Sequence, residues 1–343
     1  MPVISICVPT YNGREHLAEC IRSIRSQSFT NFEVVVCDDQ SSDGTLDCAR
    51  ELADGDERFR FISNPRRLGL AGNWNNCVQE ARGEWIKFVF QDDTIAPCCL
   101  EMLLDACVRH GKPFGFCQRD FIFENGTSEK QRAFLIEHQQ RLFSDYHASA
   151  VIGPELAIRL SAKEPHHNLA GEPTATLISK SVFREIGGFD EILIQLCDTE
   201  FWSRAMIHYG AAFVPESLAA FRVHPKATTH VNLRERSYRG QVLDPLVIRY
   251  QIAFAPEFKP IRNRKISGLS TLGLWLRCAS YAAAAWNEGR RIPNESPEKL
   301  PGSVLAEWNL VKSRCPGLQV LSVLGQVIRV GHRLRMSIHR KAL

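Results

Sequence analysis

No apolar run in this 343-residue chain approaches the roughly 20 residues needed to cross a bilayer, so no membrane-spanning helix is expected. The opening residues, MPVISICVPTYNG, lack the basic stretch and longer apolar segment of a signal peptide, which predicts a cytoplasmic protein. None of the 12 cysteines form a CxxC pair or a Cys/His cluster with zinc spacing, and adjacent Cys98 and Cys99 cannot make a zinc knuckle unaided. A structural metal is therefore not expected. Cys7, Cys37, Cys77 and Cys107 sit inside apolar patterns, as reduced buried thiols do. After the first strand-like run there is no GxGxxG, which sets aside a dinucleotide fold. No internal repeat or low-complexity stretch is present.

What is there is a globular composition, 44% hydrophobic and 23% charged, with enough length for a large core and a second module. The net charge of +4 is unevenly spread. Residues 231–343 hold 19 Lys+Arg against 7 Asp+Glu, a surplus of +12, and residues 1–230 hold 23 against 31, or −8. Two electrostatically different parts are expected, 1–230 and 231–343.

Val3–Val8 is a nearly continuous apolar run, as a strand covered on both faces reads. Asn12 is placed to cap a following helix, with Glu15 three residues on and Leu17, Ile21 and Ile24 at helical spacing. Phe32–Cys37 is a second buried strand ending in Asp38-Asp39, before a helix over 44–52 that Ser42 or Asp43 caps. Phe59–Ser63, a helix over 71–81, the strand Glu84–Phe90 and a helix over 98–110 continue the alternation. The pattern predicts an α/β fold with a mainly parallel central sheet and helices on its faces. Segment 114–180 is weaker. A glycine turn at 187–191, a helix near 197–209 and a strand at 211–214 follow, and beyond 231 helices dominate, notably 272–288 and 318–342.

Ligands of such sheets sit at the carboxyl ends of strands, where the acidic clusters of this chain fall. A diphosphate leaving group calls for a divalent cation, and hard cations call for carboxylate oxygens. Asp92-Asp93, directly after a strand, meets that need. Adjacent residues on a strand point to opposite faces, so the pair is expected to divide its work between metal and ribose or metal-bound water. Asn73 and Arg67 lie on loops that reach the same crevice.

The ordered series PTYNG, QSFTNFEVVVCDDQSSDGT, ARGEWIKFVFQDD, IGGFDE and CDTEFW resembles family 2 glycosyltransferases of the GT-A fold, over roughly residues 2–230. The resemblance implies that Pro9 and Tyr11 flank the base and ribose, that Asp39 hydrogen-bonds the nucleobase, and that Asp92 and Asp93 form the DXD-like site for nucleotide and Mn²⁺ or Mg²⁺. The family's further acid two residues before Asp92 is here Phe90. Asp198 takes the place of the catalytic base, with Cys197 where Glu is usual. His224, in FRVHP, resembles a histidine placed near diphosphate or metal, and an imidazole suits either role. Asp190 and Trp202 are the expected acceptor contacts.

The function implied is an inverting, metal-dependent transfer of one sugar from a UDP- or dTDP-linked donor to a glycan or lipid-linked acceptor, as in cell-surface polysaccharide assembly. Processive synthases of the family carry membrane helices and QxxRW, absent here. The rival readings are a nucleotide-sugar-binding protein without transferase activity and a sugar-phosphate nucleotidyltransferase, which would need a Gly-rich loop with a basic residue after the first strand. In the basic tail, Val320, Leu324, Val327, Leu334 and Ile338 recur at helical spacing, with Arg329, Arg333 and Arg340 on other faces. Such a helix suits an anionic membrane surface, which would make the protein peripheral on the inner face, or packing against the core or a second subunit as a homodimer. No nucleic-acid partner is expected.

Overall fold

The computed structural model describes residues 1–144, 146, 150–290 and 304–328. They divide into two compact units. The first comprises Met1–Ala157, Asn168–Glu191 and Cys197–Ala227, and the second Ile158–His167, Ile192–Leu196 and Thr228–Leu343.

The first unit is built on strands β1 (Ile4–Thr10), β2 (Phe32–Asp38), β3 (Phe59–Ser63), β4 (Trp85–Phe88), β5 (Thr94–Ile95), β6 (Phe114–Phe123), β7 (Val151–Ile152), β8 (Thr176–Ser179) and β9 (Ala211–Val223). The order is β3-β2-β1-β4-β8-β6-β9-β5, with β7 also on β9. Six strands run one way; β5, β7 and β8 run against them. β1 and β2 are buried at every position, which is why they read as unbroken apolar runs rather than alternating ones.

Of helices α1 (Leu17–Arg25), α2 (Thr45–Leu52), α3 (Leu70–Glu80) and α4 (Cys99–Arg109), α2 and α3 lie on β1–β3, α1 lies against α2 and β5, and α4 against β6, β8 and β9. Leu17, Cys20, Ile21 and Ile24 of α1 are buried in one core with Ile6, Val34, Leu100 and Leu103. α1 starts later than the sequence predicts. Asn12 does not cap it but takes φ 47° and accepts from Ser42 N at 2.8 Å, tying the β1 loop to the β2 loop. Neither Ser42 nor Asp43 takes the cap position of α2, which Gly44 fills at φ 80°, though Asp43 accepts from Thr45 N at 3.0 Å and steadies the turn into the helix.

The weak segment 114–180 resolves into β6, α5 (Glu129–Ser144), β7, α6 (Pro154–Lys163) and β8, followed by α7 (Lys180–Ile186) and α8 (Cys197–Tyr209). Gly210 closes α8 at φ 67°, a conformation that costs glycine little and other residues more. The strand expected at 211–214 extends to Val223, because its second half pairs with the long β6.

Among the described residues the second unit is helical: α9 (Thr228–Glu235), a π-helical turn over Tyr238–Leu243, α10 (Asp244–Phe254), α11 (Arg264–Ser267), α12 (Thr271–Gly289), α13 (Val304–Arg314) and a helix over 318–328. Asp244, fully buried, accepts from the backbone N–H groups of Ile194, Gln195 and Leu196 and pairs with buried Arg239 at 3.3 Å, which draws 192–196 into this unit. Along 318–328, Leu318 and Ser322 face inward while Val320, Val323, Leu324 and Val327 are exposed. Arg329, Arg333, Leu334, Ile338 and Arg340 lie outside the described residues. No described helix is long and apolar enough to cross a membrane.

Candidate active site

The loops after β1, β2 and β4 meet through side chains that each read on the sequence as separate signals. Thr10 at the end of β1 donates to Asp38 at the end of β2, at 3.0 Å. Gln91, after β4, accepts from Tyr11 N at 2.9 Å and donates to Tyr11 O at 3.1 Å. Tyr11 is 37% exposed and carries the Arg67 guanidinium over its ring at 3.9 Å, leaving an aromatic and a cation at the rim of the cleft. Pro9, in contrast, is buried within β1 and has no surface to offer a nucleotide.

Asp39 is buried, and its carboxylate accepts from Asn64 Nδ2 (2.9 Å), Leu68 N (2.7 Å) and Gly69 N (2.9 Å). Its evident work is to fasten the loop that leads into α3. Asn73 is likewise buried, donating to Cys37 O and accepting from Asn64, so it holds β2 rather than reaching into the cleft.

The two acids after β4 part company. Asp92 retains 20% side-chain exposure and its Oδ2 lies 3.0 Å from His224 Nε2. Asp93 is fully buried, accepting from Thr174 Oγ1 at 2.5 Å and Arg222 N at 3.0 Å. Burial, then the neighbouring Asp92 charge, pushes its carboxyl well above the usual range. The expectation that Asp93 ligates a metal is corrected here: the carboxyl is fully buried and both its oxygens are taken up by Thr174 Oγ1 and Arg222 N, so it is turned away from an ion in the cleft. Phe90, in the place of the family's further acid, stacks on Trp74 at 4.8 Å.

His224 belongs to a larger donor set. The ligand atoms of His16, Glu124 and His224 all lie within 4.8 Å of one another. Asp92 adjoins this group through His224 alone, adding a carboxylate oxygen of the kind hard divalent cations take. Arg222, near the end of β9 and two residues before His224, donates from Nε to Asp92 O at 2.9 Å and pairs with Glu19, so it steadies the Asp92 loop. His16, Glu124 and Arg222 were missed from sequence. Only Arg222 had a signal: residues two apart on a strand share a face.

Asp198 opens α8. Its Oδ1 accepts from Thr199 N at 2.6 Å and Thr199 Oγ1 at 3.3 Å, and its Oδ2 accepts from Asn168 Nδ2 at 3.3 Å. Burial, against the Thr199 N–H that favours the charged form, raises its pKa to about 7. Asn168, missed from sequence, also donates to Gly171 O and accepts from Ala170 N and Gly171 N, making a tight turn. Gly171 has φ 85° and lies against the Arg119 side chain, so a Cβ there would be both strained and crowded. Glu172, next along, pairs with buried Arg119 and adds negative potential at both Asp93 and Asp198.

Trp202 is not an acceptor contact. It is fully buried, stacks on Phe114 at 5.2 Å and donates from Nε1 to Gly171 O at 2.9 Å. An indole on a helix buried almost all round serves the core. Glu200 is also structural, pairing with Arg204, whose guanidinium reaches the carbonyls of Ile186 and Gly188 in the glycine turn. Asp190 lies half-buried on that turn, which Asn75 pins by accepting from Phe189 N and donating to Phe189 O.

The family model for glycosyl transferase family 2 matches residues 5–187. An uncharacterised protein of Mycobacterium tuberculosis is 33% identical over 279 residues, 80% of this chain and 83% of that one. A GalNAc(5)-diNAcBac-PP-undecaprenol β-1,3-glucosyltransferase of Campylobacter jejuni is 35% identical over 119 residues, covering 34% of this chain and only 38% of that enzyme. Staphylococcus aureus TarS 1–349, solved with UDP-GlcNAc, superimposes with a TM-score of 0.59 at 16% identity, over 96% of this chain and 92% of that one. The mannosyltransferase PcManGT of Pyrobaculum calidifontis, solved with GDP-Man and Mn²⁺, gives 0.53 at 18% identity, over 95% and 84%. These likenesses fix the architecture as the GT-A fold.

Proposed function

Because the chain belongs to glycosyl transferase family 2, we propose that it moves one sugar from a UDP- or dTDP-linked donor onto an acceptor hydroxyl with inversion at the anomeric carbon. The observation that carries this reading is Asp198, a carboxylate at a helix start with its pKa raised to about 7 and with Thr199 and Asn168 as its hydrogen-bond donors among the described residues. A base poised near neutral pH is suited to take a hydroxyl proton during attack. The acceptor oxygen bonds to the anomeric carbon from the face opposite the nucleotide, the bond to the diphosphate oxygen breaks, and the proton passes to Asp198. One displacement inverts the centre.

Asp92 and His224, joined by His16 and Glu124, are the residues that would hold Mn²⁺ or Mg²⁺. When bound there, the cation supplies charge neutralisation for the departing diphosphate. Tyr11 and Arg67 are placed to stack on base or ribose, and Asp39 keeps lone-pair capacity for one further N–H beside its three donors. In support, TarS binds UDP-GlcNAc and PcManGT binds GDP-Man with Mn²⁺, on the same fold.

For the acceptor we favour a lipid-linked glycan in cell-surface polysaccharide assembly, as the Campylobacter relative's name describes for that enzyme. The apolar residues exposed on 318–328 and the +12 surplus of 231–343 suit docking on an anionic inner membrane face. The test of the donor reading is a thermal-shift panel of nucleotide sugars with Mn²⁺ and with EDTA, since a ligand of the folded state raises the midpoint by mass action. A Mn²⁺-dependent rise with a UDP or dTDP sugar is expected. Equal shifts in EDTA would remove the metal from the account, and no shift with any donor would remove the transferase.

A further inference from the structure

We propose that the second unit holds the phosphorylated end of the acceptor's lipid carrier, a polyisoprenyl diphosphate, in a groove between α10, α12 and the end of α6. The inference rests on the lipid-linked acceptor reading above. The groove has a volume of about 520 Å³, inside the roughly 300–1,000 Å³ of small-molecule sites. Ile252, Leu274 and Ala284 give it apolar walls, and Lys163, Arg249 and Arg277 line it with positive charge. None of the described lining residues is acidic.

Arg249 carries the argument furthest. Its guanidinium is recessed, and it donates to Pro245 O at 3.0 Å, meets His166 Nδ1 at 3.2 Å, and lies over the Tyr281 ring at 4.1 Å. Every one of these partners is uncharged, since burial and Arg249 itself hold His166 toward its neutral form. Removing a cation from water without a counter-charge is costly, and an anion entering the groove offsets that cost. Lys163 and Arg277 are exposed and have no ion pair among the described residues, so they complete a three-cation cradle for a diphosphate.

The surroundings identify what the diphosphate is attached to. Leu272, Trp275 and Leu276 form an exposed stripe at the start of α12, at 61%, 43% and 38%, and Phe254 stacks on Trp275 at 5.6 Å. Trp275 anchors its Nε1–H on Ala253 O at 3.0 Å, so the aromatic pair is held outward. A nucleotide or free glycan gains nothing from such a rim. A headgroup with its first isoprene units fills the groove, and the rest of the chain runs over the apolar rim into the bilayer, where aromatic residues favour the interface.

The test is calorimetry of the full chain with farnesyl diphosphate, farnesol and inorganic pyrophosphate, in EDTA so that diphosphates do not enter a metal-dependent donor site. Farnesyl diphosphate is expected to bind at least tenfold more tightly than either fragment. In the Lys163→Gln/Arg277→Gln variant its affinity is expected to fall about tenfold or more, the order for losing charged hydrogen bonds. Both side chains are exposed and without ion pairs among the described residues, so the variant should fold, which UDP binding with Mn²⁺ checks. Farnesyl diphosphate that binds variant and wild type equally, or fails to bind a wild type that still binds UDP, overturns the groove. Its displacement by phosphatidylglycerol vesicles lacking any isoprenoid would assign the surface to bulk lipid and overturn it too. Loss of UDP binding by the wild type itself would count against the transferase reading instead.

Discussion

Replacing Asp198 by Asn should slow turnover by roughly 10² or more while leaving the chain at least as stable as before. The amide keeps the size and the hydrogen bond from Thr199 N but cannot take a proton. The stability expectation follows from the raised pKa of Asp198, about 7 against 3.8 for a free side chain. An acid whose folded-state pKa is raised holds its proton longer when folded than when unfolded. Its penalty is absent below pH 4, grows as pH rises from about 4 to 7, and is complete above 7. At about 1.36 kcal/mol per pKa unit the full penalty is about 4 kcal/mol, an upper value because the carboxylate keeps some exposure and the unfolded reference is compact. Melting of wild type and variant should therefore coincide near pH 4 and diverge toward pH 8, the variant melting higher by a few degrees. Wild-type kcat/KM should fall about tenfold per pH unit below 7, as the ionised fraction of a single base does. A variant that melts lower at pH 8, or that loses UDP binding, would show Asp198 to be a helix cap and the reasoning to be wrong.

Three further substitutions separate the roles of neighbouring residues. Asp92→Ala should abolish the Mn²⁺ dependence of UDP affinity, read by calorimetry, since its carboxylate and His224 are the adjacent donors; unchanged metal dependence would place the ion elsewhere. Asp93→Asn should leave UDP binding within about threefold, because the carboxyl is buried away from the cleft and engaged by Thr174 and Arg222 N–H, whereas Asp93→Ala should cost about 1–3 kcal/mol in denaturant unfolding by stranding those donors. Trp202→Ala should cost about 3–5 kcal/mol without a selective rise in acceptor KM, as expected of a core indole.

The parallel half of the sheet and the acids at its strand ends are legible in the sequence because strands buried on both faces leave unbroken apolar runs, and the turn of direction after each is marked by Asp, Ser or Gly. Asp198 is legible through its neighbours in sequence, GGFDE and the helix that follows. The side chains that complete the site are not. His16, Glu124 and Asn168 come from three separate segments, and nothing local to any of them announces the others, whereas His224 stands out in FRVHP. Trp202 misled because α8 has Phe201, Trp202, Ala205 and Met206 all buried, so its periodicity marks no solvent face on which an acceptor residue would stand. Asp92 and Asp93 could be expected to point apart, but which one faces inward depends on Thr174 and Arg222, 81 and 129 residues from Asp93. The second unit takes in 192–196, because Asp244 collects the N–H groups of 194–196 across about fifty residues of chain.

The central claim is a single displacement assisted by Asp198, and the configuration of the released sugar tests it without knowledge of the acceptor. With water in place of the acceptor hydroxyl the same displacement would release free sugar, so proton NMR of an α-linked UDP sugar with enzyme and Mn²⁺ should show the β-anomer of the free sugar first, before mutarotation mixes the two. The Asp198→Asn variant should release it at least about 10² more slowly. Early appearance of the α-anomer, or an unchanged rate in the variant, would contradict the account.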